Sequence, residues 1–196
     1  MRTFIKSNNL NNVTYAIRGP LLREALRMES RGSSIIKLNI GNPAAYGFHA
    51  PKWLNDEMYA ELGSGSDAYS LSNGLISARE AIADYSARKG IEGVGIDDIF
   101  TGNGCSELII TCMQALLSHE DEVLVPAPDY PLWSSAVSLA GGIPVHYICD
   151  EKSDWYPDAR DIEQRITTKT KAIVLINPNN PTGANYPRLV LENIIR

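Results

Sequence analysis

The apolar run Ala172-Ile173-Val174-Leu175-Ile176, and the residues that end it, constrain this 196-residue chain more than any other stretch. A short continuous apolar run bounded by turn residues reads as a strand buried on both faces. Asn177-Pro178-Asn179-Asn180-Pro181-Thr182-Gly183 then stops it, because two prolines and a glycine interrupt a ladder and fix a turn. The asparagine amides between them become a rigid set of donors and acceptors. In open α/β sheets, ligands bind just beyond the carboxyl ends of strands. A short Asn-Pro string alone is an ordinary turn. The full string after an apolar strand points to a site.

Upstream, the pattern agrees with such a sheet. From about Asp97, strands alternate with helices: strands over 99–101, 122–125, 144–149 and 171–176, and helices over 106–117, 132–140 and 158–166, the last capped by Asp158. This alternation implies an α/β fold with a largely parallel sheet covered by helices. Before it, the spacing predicts helices over 19–31, 51–62 and 75–89 and a strand over 35–40. The expected organisation is residues 1–95 as an N-terminal arm and part of a small domain, and 96–196 as the first part of a large sheet domain. The helix-like pattern after Leu189 has no Gly cap or polar tail, which suggests a fragment.

Net charge is −5, with no basic run, which argues against a nucleic-acid partner. No apolar run is long enough to cross a bilayer. The start lacks the apolar core of a signal peptide. Cys105, Cys112 and Cys149 form no Cys-x-x-Cys pair and suggest reduced thiols in a cytoplasm. His49, His119 and His146 are scattered without ligand spacing, so no metal site is expected.

Three further places carry chemistry. In Thr101-Gly102-Asn103-Gly104-Cys105-Ser106, between a strand and a helix, two glycines allow close backbone approach and the helix start offers free N–H groups to a phosphate. Taken alone, it is equally a Gly turn with Ser106 as an N-cap. In Pro126-Ala127-Pro128-Asp129-Tyr130-Pro131-Leu132-Trp133, prolines hold an aromatic that can stack on a planar ring; core packing is the alternative, strongest for Trp133. Ile40-Gly41-Asn42-Pro43 follows a strand. Upstream of it, Tyr15 and Arg18 either close a site over an acidic substrate or are simply exposed.

Together these motifs resemble the pyridoxal-phosphate (PLP) aminotransferases of fold type I, in order and spacing from about Tyr15 to Arg196. Tyr69-Ser70-Leu71-Ser72-Asn73-Gly74, with Ser77-Ala78-Arg79-Glu80-Ala81-Ile82, is similar to the family's Tyr-x-x-x-x-Gly-x-x-x-x-Arg-x-Ala-Ile stretch. The closest resemblance is to the bacterial glutamate–pyruvate (alanine) group, through residues 127–133 and Ser153-Asp154-Trp155. The resemblance implies the PLP-dependent transferase fold, with an incomplete large domain. It implies amino transfer between an amino acid and a 2-oxo acid, in a homodimer. Gly104, Cys105 and Ser106 would cradle the cofactor phosphate, Tyr130 would cover the ring and Asn180 would bond its phenolic oxygen. Tyr69 would reach the phosphate of the neighbouring subunit. The Gly41 N–H would meet the substrate carboxylate, with Tyr15 and Arg18 closing over it.

The chain departs from the family by lacking the Asp-x-x-Tyr segment, the Schiff-base lysine in its Ser-x-Ser-Lys context and the carboxylate-binding arginine; no catalytic residue is therefore assigned, and the 196 residues alone are expected to be inactive. The alternatives are a non-catalytic PLP-fold binding module or pseudoenzyme, and a carbon–sulfur lyase on the same scaffold. A nucleotide-binding α/β domain predicts an acidic residue after the second strand and no paired Asn-Pro loop, and fits poorly; the turn at 101–106 is not a Gly-x-Gly-x-x-Gly fingerprint, because Glu107 holds its last position. Ser34-Ile35-Ile36-Lys37 matches a Ser-x-x-Lys spacing by coincidence, within an apolar run.

Overall fold

A computed structural model describes residues 5–13, 19–37, 41–62 and 68–196. The chain divides into two compact units. One joins Met1–Ala16 to Asn103–Arg196, and the other is Ile17–Gly102.

The first unit holds the sheet. Helix α4 (Cys105–Leu116) leads into strand β1 (Glu122–Ala127), α5 (Leu132–Leu139), β2 (Ile143–Ile148), α6 (Ala159–Arg165), β3 (Thr170–Ile173) and α7 (Arg188–Ile195). The strands form an all-parallel sheet in the order β2-β1-β3. Val123, Leu124 and Val125 of central β1 are completely buried. Their side chains alternate between faces, as the period of a strand requires. Val123 and Val125 pack with Ile109, Met113 and Leu117 from the α4 side and Ala136 and Val137 of α5. Leu124 packs on the other face with Tyr147, Cys149 and Ile162 of α6. Helices therefore cover both faces, which is why β1 reads as an unbroken apolar run rather than an alternating one.

The apolar run at 172–176 behaves the same way. Ala172, Val174 and Ile176 join the first cluster, and Ile173 and Leu175 join the second. Regular strand ends at Ile173, yet the Val174 N–H still donates to the Leu124 carbonyl at 2.8 Å. The fully buried Tyr147 hydroxyl donates to the Val174 carbonyl at 2.7 Å. Asp158 caps α6 by accepting from the Arg160 N–H at 2.9 Å. Asp161, in the first turn of α6, accepts from Arg165 at 2.7 and 2.8 Å and from the Ile148 N–H at 2.9 Å.

The second unit carries α1 (Pro20–Glu29), α2 (Lys52–Leu62) and α3 (Ile76–Arg88). Arg79 of α3 is 3% exposed. Its Nε donates to the Ile96 carbonyl at 3.0 Å, so the guanidinium pins α3 to the segment after it. Among the described residues no strand forms at 99–101: Ile99 is buried, but the one bond across is from the Thr101 N–H to the Asn73 carbonyl, at 3.1 Å. A strand needs a ladder, and a single bond does not make one. Residues 35–37 are likewise irregular, and the rest of that expected strand lies outside the described residues.

Candidate functional site at the carboxyl edge of the sheet

Parallel pairing sends β1 and β3 out of the sheet at the same edge, so the Tyr130 loop and the Asn-Pro loop leave side by side. Helix α4 feeds β1 through a tight turn in which the Asp121 carboxylate accepts from the Ser118 N–H at 2.8 Å. The helix therefore runs back along the strand it precedes. Its 12 residues rise about 18 Å. The 6 residues of β1 span about 20 Å, so the start of α4 stands level with the carboxyl end of β1.

That helix start is open. Gly104 is the N-cap, with φ +86°, a left-handed conformation that favours glycine. No side chain caps the helix, and a Cβ at Gly104 would meet nothing within 4 Å. Cys105 is the first helical residue, so Ser106 lies inside the first turn and is not the N-cap. Both are exposed. The first-turn amides have no intrahelical acceptor and carry the positive end of the helix dipole. The Glu107 carboxylate turns back onto the Asn103 backbone N–H. The edge thus offers backbone donors and one hydroxyl.

Tyr130 is half-buried and packs, like Trp133, against the first core cluster. Its carbonyl accepts from the Trp133 N–H at 3.0 Å, and the neighbouring Asp129 carboxylate accepts from the Ser134 hydroxyl at 2.7 Å. The Ser134 oxygen also lies 3.1 Å from His146 Nε2. Two bonds to the first turn of α5 therefore define the path of the loop.

The structure divides the three asparagines of the Asn-Pro loop. Asn177 Oδ1 accepts from the Tyr186 N–H at 2.8 Å. Asn179 is 4% exposed. Its Oδ1 accepts from the Thr182 N–H at 3.2 Å and the Thr182 hydroxyl at 3.0 Å, while its Nδ2 donates to the Tyr186 hydroxyl at 3.1 Å. Asn177 and Asn180 are both exposed, but among the described residues only Asn180 has an amide with no hydrogen-bond partner. Two asparagines build the loop and the third is presented by it. Sequence reasoning singled out Asn180 but passed over Asn179 and Tyr186. Tyr186 carries no turn chemistry and sits three residues beyond the motif, so nothing local marks it. Burial pushes the Tyr186 phenol up to about 12 and raises the Cys149 thiol next to it.

The remaining singled-out residues belong to the second unit or lie outside description. Tyr69 is fully exposed. Gly41 is exposed and a Cβ there would meet nothing within 4 Å. Tyr15 and Arg18 lie outside the described residues. Among the described residues, no helix is long and apolar enough to cross a membrane.

Comparison with known proteins gives this edge its context. The family described as Aminotransferase class I and II matches residues 33–196. A glutamate-pyruvate aminotransferase, AlaA of Haemophilus influenzae, is 54% identical over 195 residues, covering 100% of this chain and 48% of that protein. An alanine aminotransferase of Mycobacterium tuberculosis is 49% identical, over 99% of this chain and 45% of its own length. Among solved structures, an aminotransferase from Escherichia coli matches with a TM-score of 0.92 at 53% identity, covering 99% of this chain and 48% of that one. An alanine aminotransferase from Pyrococcus furiosus also matches at 0.92, with 38% identity, over 97% of this chain and 48% of that one. The chain spans about half the length of these relatives, 48% for the Haemophilus protein. With its parallel sheet, its loop-lined carboxyl edge and a family match over most of its residues, the chain belongs to the aminotransferase class I and II family.

Proposed function

We propose that the whole protein is a PLP-dependent aminotransferase, moving the amino group between alanine or glutamate and a 2-oxo acid. The observation that supports this reading is that a loop-held tyrosine and an asparagine amide with no partner among the described residues lie on loops leaving the sheet at the same edge, in the unit that also carries an open helix start. This donor set fits the cofactor. A phosphate dianion suits the first-turn N–H groups of Cys105 and Ser106, the Ser106 hydroxyl and the helix dipole. The bare Cα of Gly104 leaves room for its oxygens. Tyr130 would cover one face of the ring. Asn180 Nδ2 would donate to the phenolic oxygen and favour its ionised form.

When bound, PLP supplies an electron sink for negative charge developing on the substrate α-carbon. The protein's residues orient and select. The Gly41 N–H would bind the substrate carboxylate, and Arg18 with Tyr15 would close over an acidic side chain. Tyr69 would act from the neighbouring subunit on the phosphate, which makes the working form a homodimer. The three free cysteines suit a cytoplasmic setting.

The test uses the full-length protein. Stoichiometric PLP uptake and 2-oxoglutarate-dependent formation of pyruvate from alanine are the expected results. Uptake without transfer would favour the pseudoenzyme, and pyruvate from cysteine without an amino acceptor would favour the lyase. No uptake would sink the reading. Asn180→Ala should weaken PLP binding by about tenfold, the worth of one hydrogen bond near a charge.

A further inference from the structure

Tyr186 lies beyond the Asn-Pro motif, yet it contacts the loop at two points. Its backbone N–H donates to Asn177 Oδ1 at 2.8 Å, and its hydroxyl accepts from Asn179 Nδ2 at 3.1 Å. Asn179 in turn fixes the far side of the loop. Its backbone N–H donates to the Ala184 carbonyl and its carbonyl accepts from the Gly183 N–H, both at 2.8 Å, while its Oδ1 takes both Thr182 donors. Asn180 sits between these clamped points, and its side chain has no partner among the described residues, so its direction is set by the backbone they hold.

The ring of Tyr186 has independent support. It is 4% exposed and meets Tyr156 edge-on, with centroids 6.1 Å apart and planes at 86°. Phenylalanine would fill that space equally well. A buried hydroxyl is costly unless it is bonded, so the oxygen is explained by its partners rather than by packing. Among the described residues, the bond that satisfies it is the one from Asn179 Nδ2. The Cys149 backbone N–H donates to the Ala127 carbonyl at 3.0 Å, at the strand end from which the Tyr130 loop departs.

We propose that Tyr186 is a positioning residue for the cofactor ring, acting through Asn177 and Asn179 to aim Asn180; this rests on the assignment of Asn180 to the cofactor. Tyr186→Phe keeps the ring and removes only the hydroxyl, so it isolates the effect. The experiment is PLP titration of the full-length apoprotein carrying Tyr186→Phe, Asn180→Ala or both, with a pH titration of the bound cofactor's visible absorption. The expected result is a PLP dissociation constant raised about fivefold by Tyr186→Phe, with no further rise when Asn180 is already alanine. The absorption midpoint should move in the same direction as in Asn180→Ala. An unchanged constant and midpoint in Tyr186→Phe, while Asn180→Ala changes both, would overturn the proposal and leave the Asn180 assignment standing. Equal losses with and without Asn180 would also overturn it, because a general destabilisation does not depend on that amide. If Asn180→Ala itself changed neither quantity, the assignment would fail and take the proposal with it.

Discussion

At the scale of single residues, chemistry at this edge depends on which polar groups are consumed by the fold. Asn179 and Tyr186 spend theirs on each other, and Asn180 keeps its own. Residue type does not reveal this division, since adjacent asparagines have the same propensities. Only the three-dimensional closure of Asn177 onto Tyr186 buries one amide and leaves the next outside. Both buried phenols, Tyr147 and Tyr186, are shifted upward by burial, Tyr186 to about 12. A raised pKa means that the folded state holds the proton more tightly than the unfolded chain. Their contribution is therefore intact below the unfolded tyrosine value of about 10 and is lost as pH rises through the folded one. The urea midpoint of the full-length protein should fall between about pH 10 and 12, and the fall should be shallower in Tyr186→Phe. A slope unchanged by that substitution would show that Tyr186 ionises as freely when folded as when unfolded. Tyr147→Phe removes a buried 2.7 Å bond to the Val174 carbonyl and should cost about 1–3 kcal/mol at neutral pH, read by chemical denaturation.

At the scale of elements, packing on both sheet faces sets the tolerances. Leu124 touches only the α6 face, between two valines that touch the α4–α5 face. Leu124→Ala should cost about 3 kcal/mol, through lost transfer energy plus an unfilled cavity. The turn from α5 into β2 is equally tight. A Cβ at Gly142 would stand 2.9 Å from the Asp121 carbonyl oxygen and 2.9 Å from Leu117 Cδ1. Because one neighbour is backbone, Gly142→Ala should destabilise by about 1–3 kcal/mol, visible as a lower thermal midpoint. A midpoint equal to that of the parent protein would mean that the turn at Gly142 and the Asp121 backbone can part at no cost. The helices and three parallel strands of the first unit were readable from their apolar periods and from Asp158 and the glycines. The expected strands at 99–101 and 171–176 met a rule that periodicity cannot express. Apolar residues report burial, while strand assignment requires a paired neighbour, and Val174–Ile176 are packed like a strand after regular pairing has stopped.

At the scale of the whole molecule, the sheet and the helices of the second unit leave apolar surface uncovered. Among the described residues β2 and β3 are edge strands, and no residue of α1 or α2 is buried. Trp53, Met58, Tyr59 and Leu62 of α2 are all more than half exposed. The 196 residues expressed alone should associate and bind a hydrophobic dye, because open edges and contiguous apolar patches seek partners. A monomeric chain with one cooperative melt would contradict this. The sequence by itself determined the class of fold, the order of the sheet-forming elements and the three loops at the carboxyl edge. Each of those is written in local period and in proline, glycine and asparagine chemistry. Tertiary structure alone decided that Ser106 lies within the first turn of α4, that Arg79 is a buried clamp, and that Tyr186 holds the loop from which Asn180 projects. Those outcomes depend on which polar atoms find partners across long loops, and pairing of that kind exists only once the chain has closed on itself.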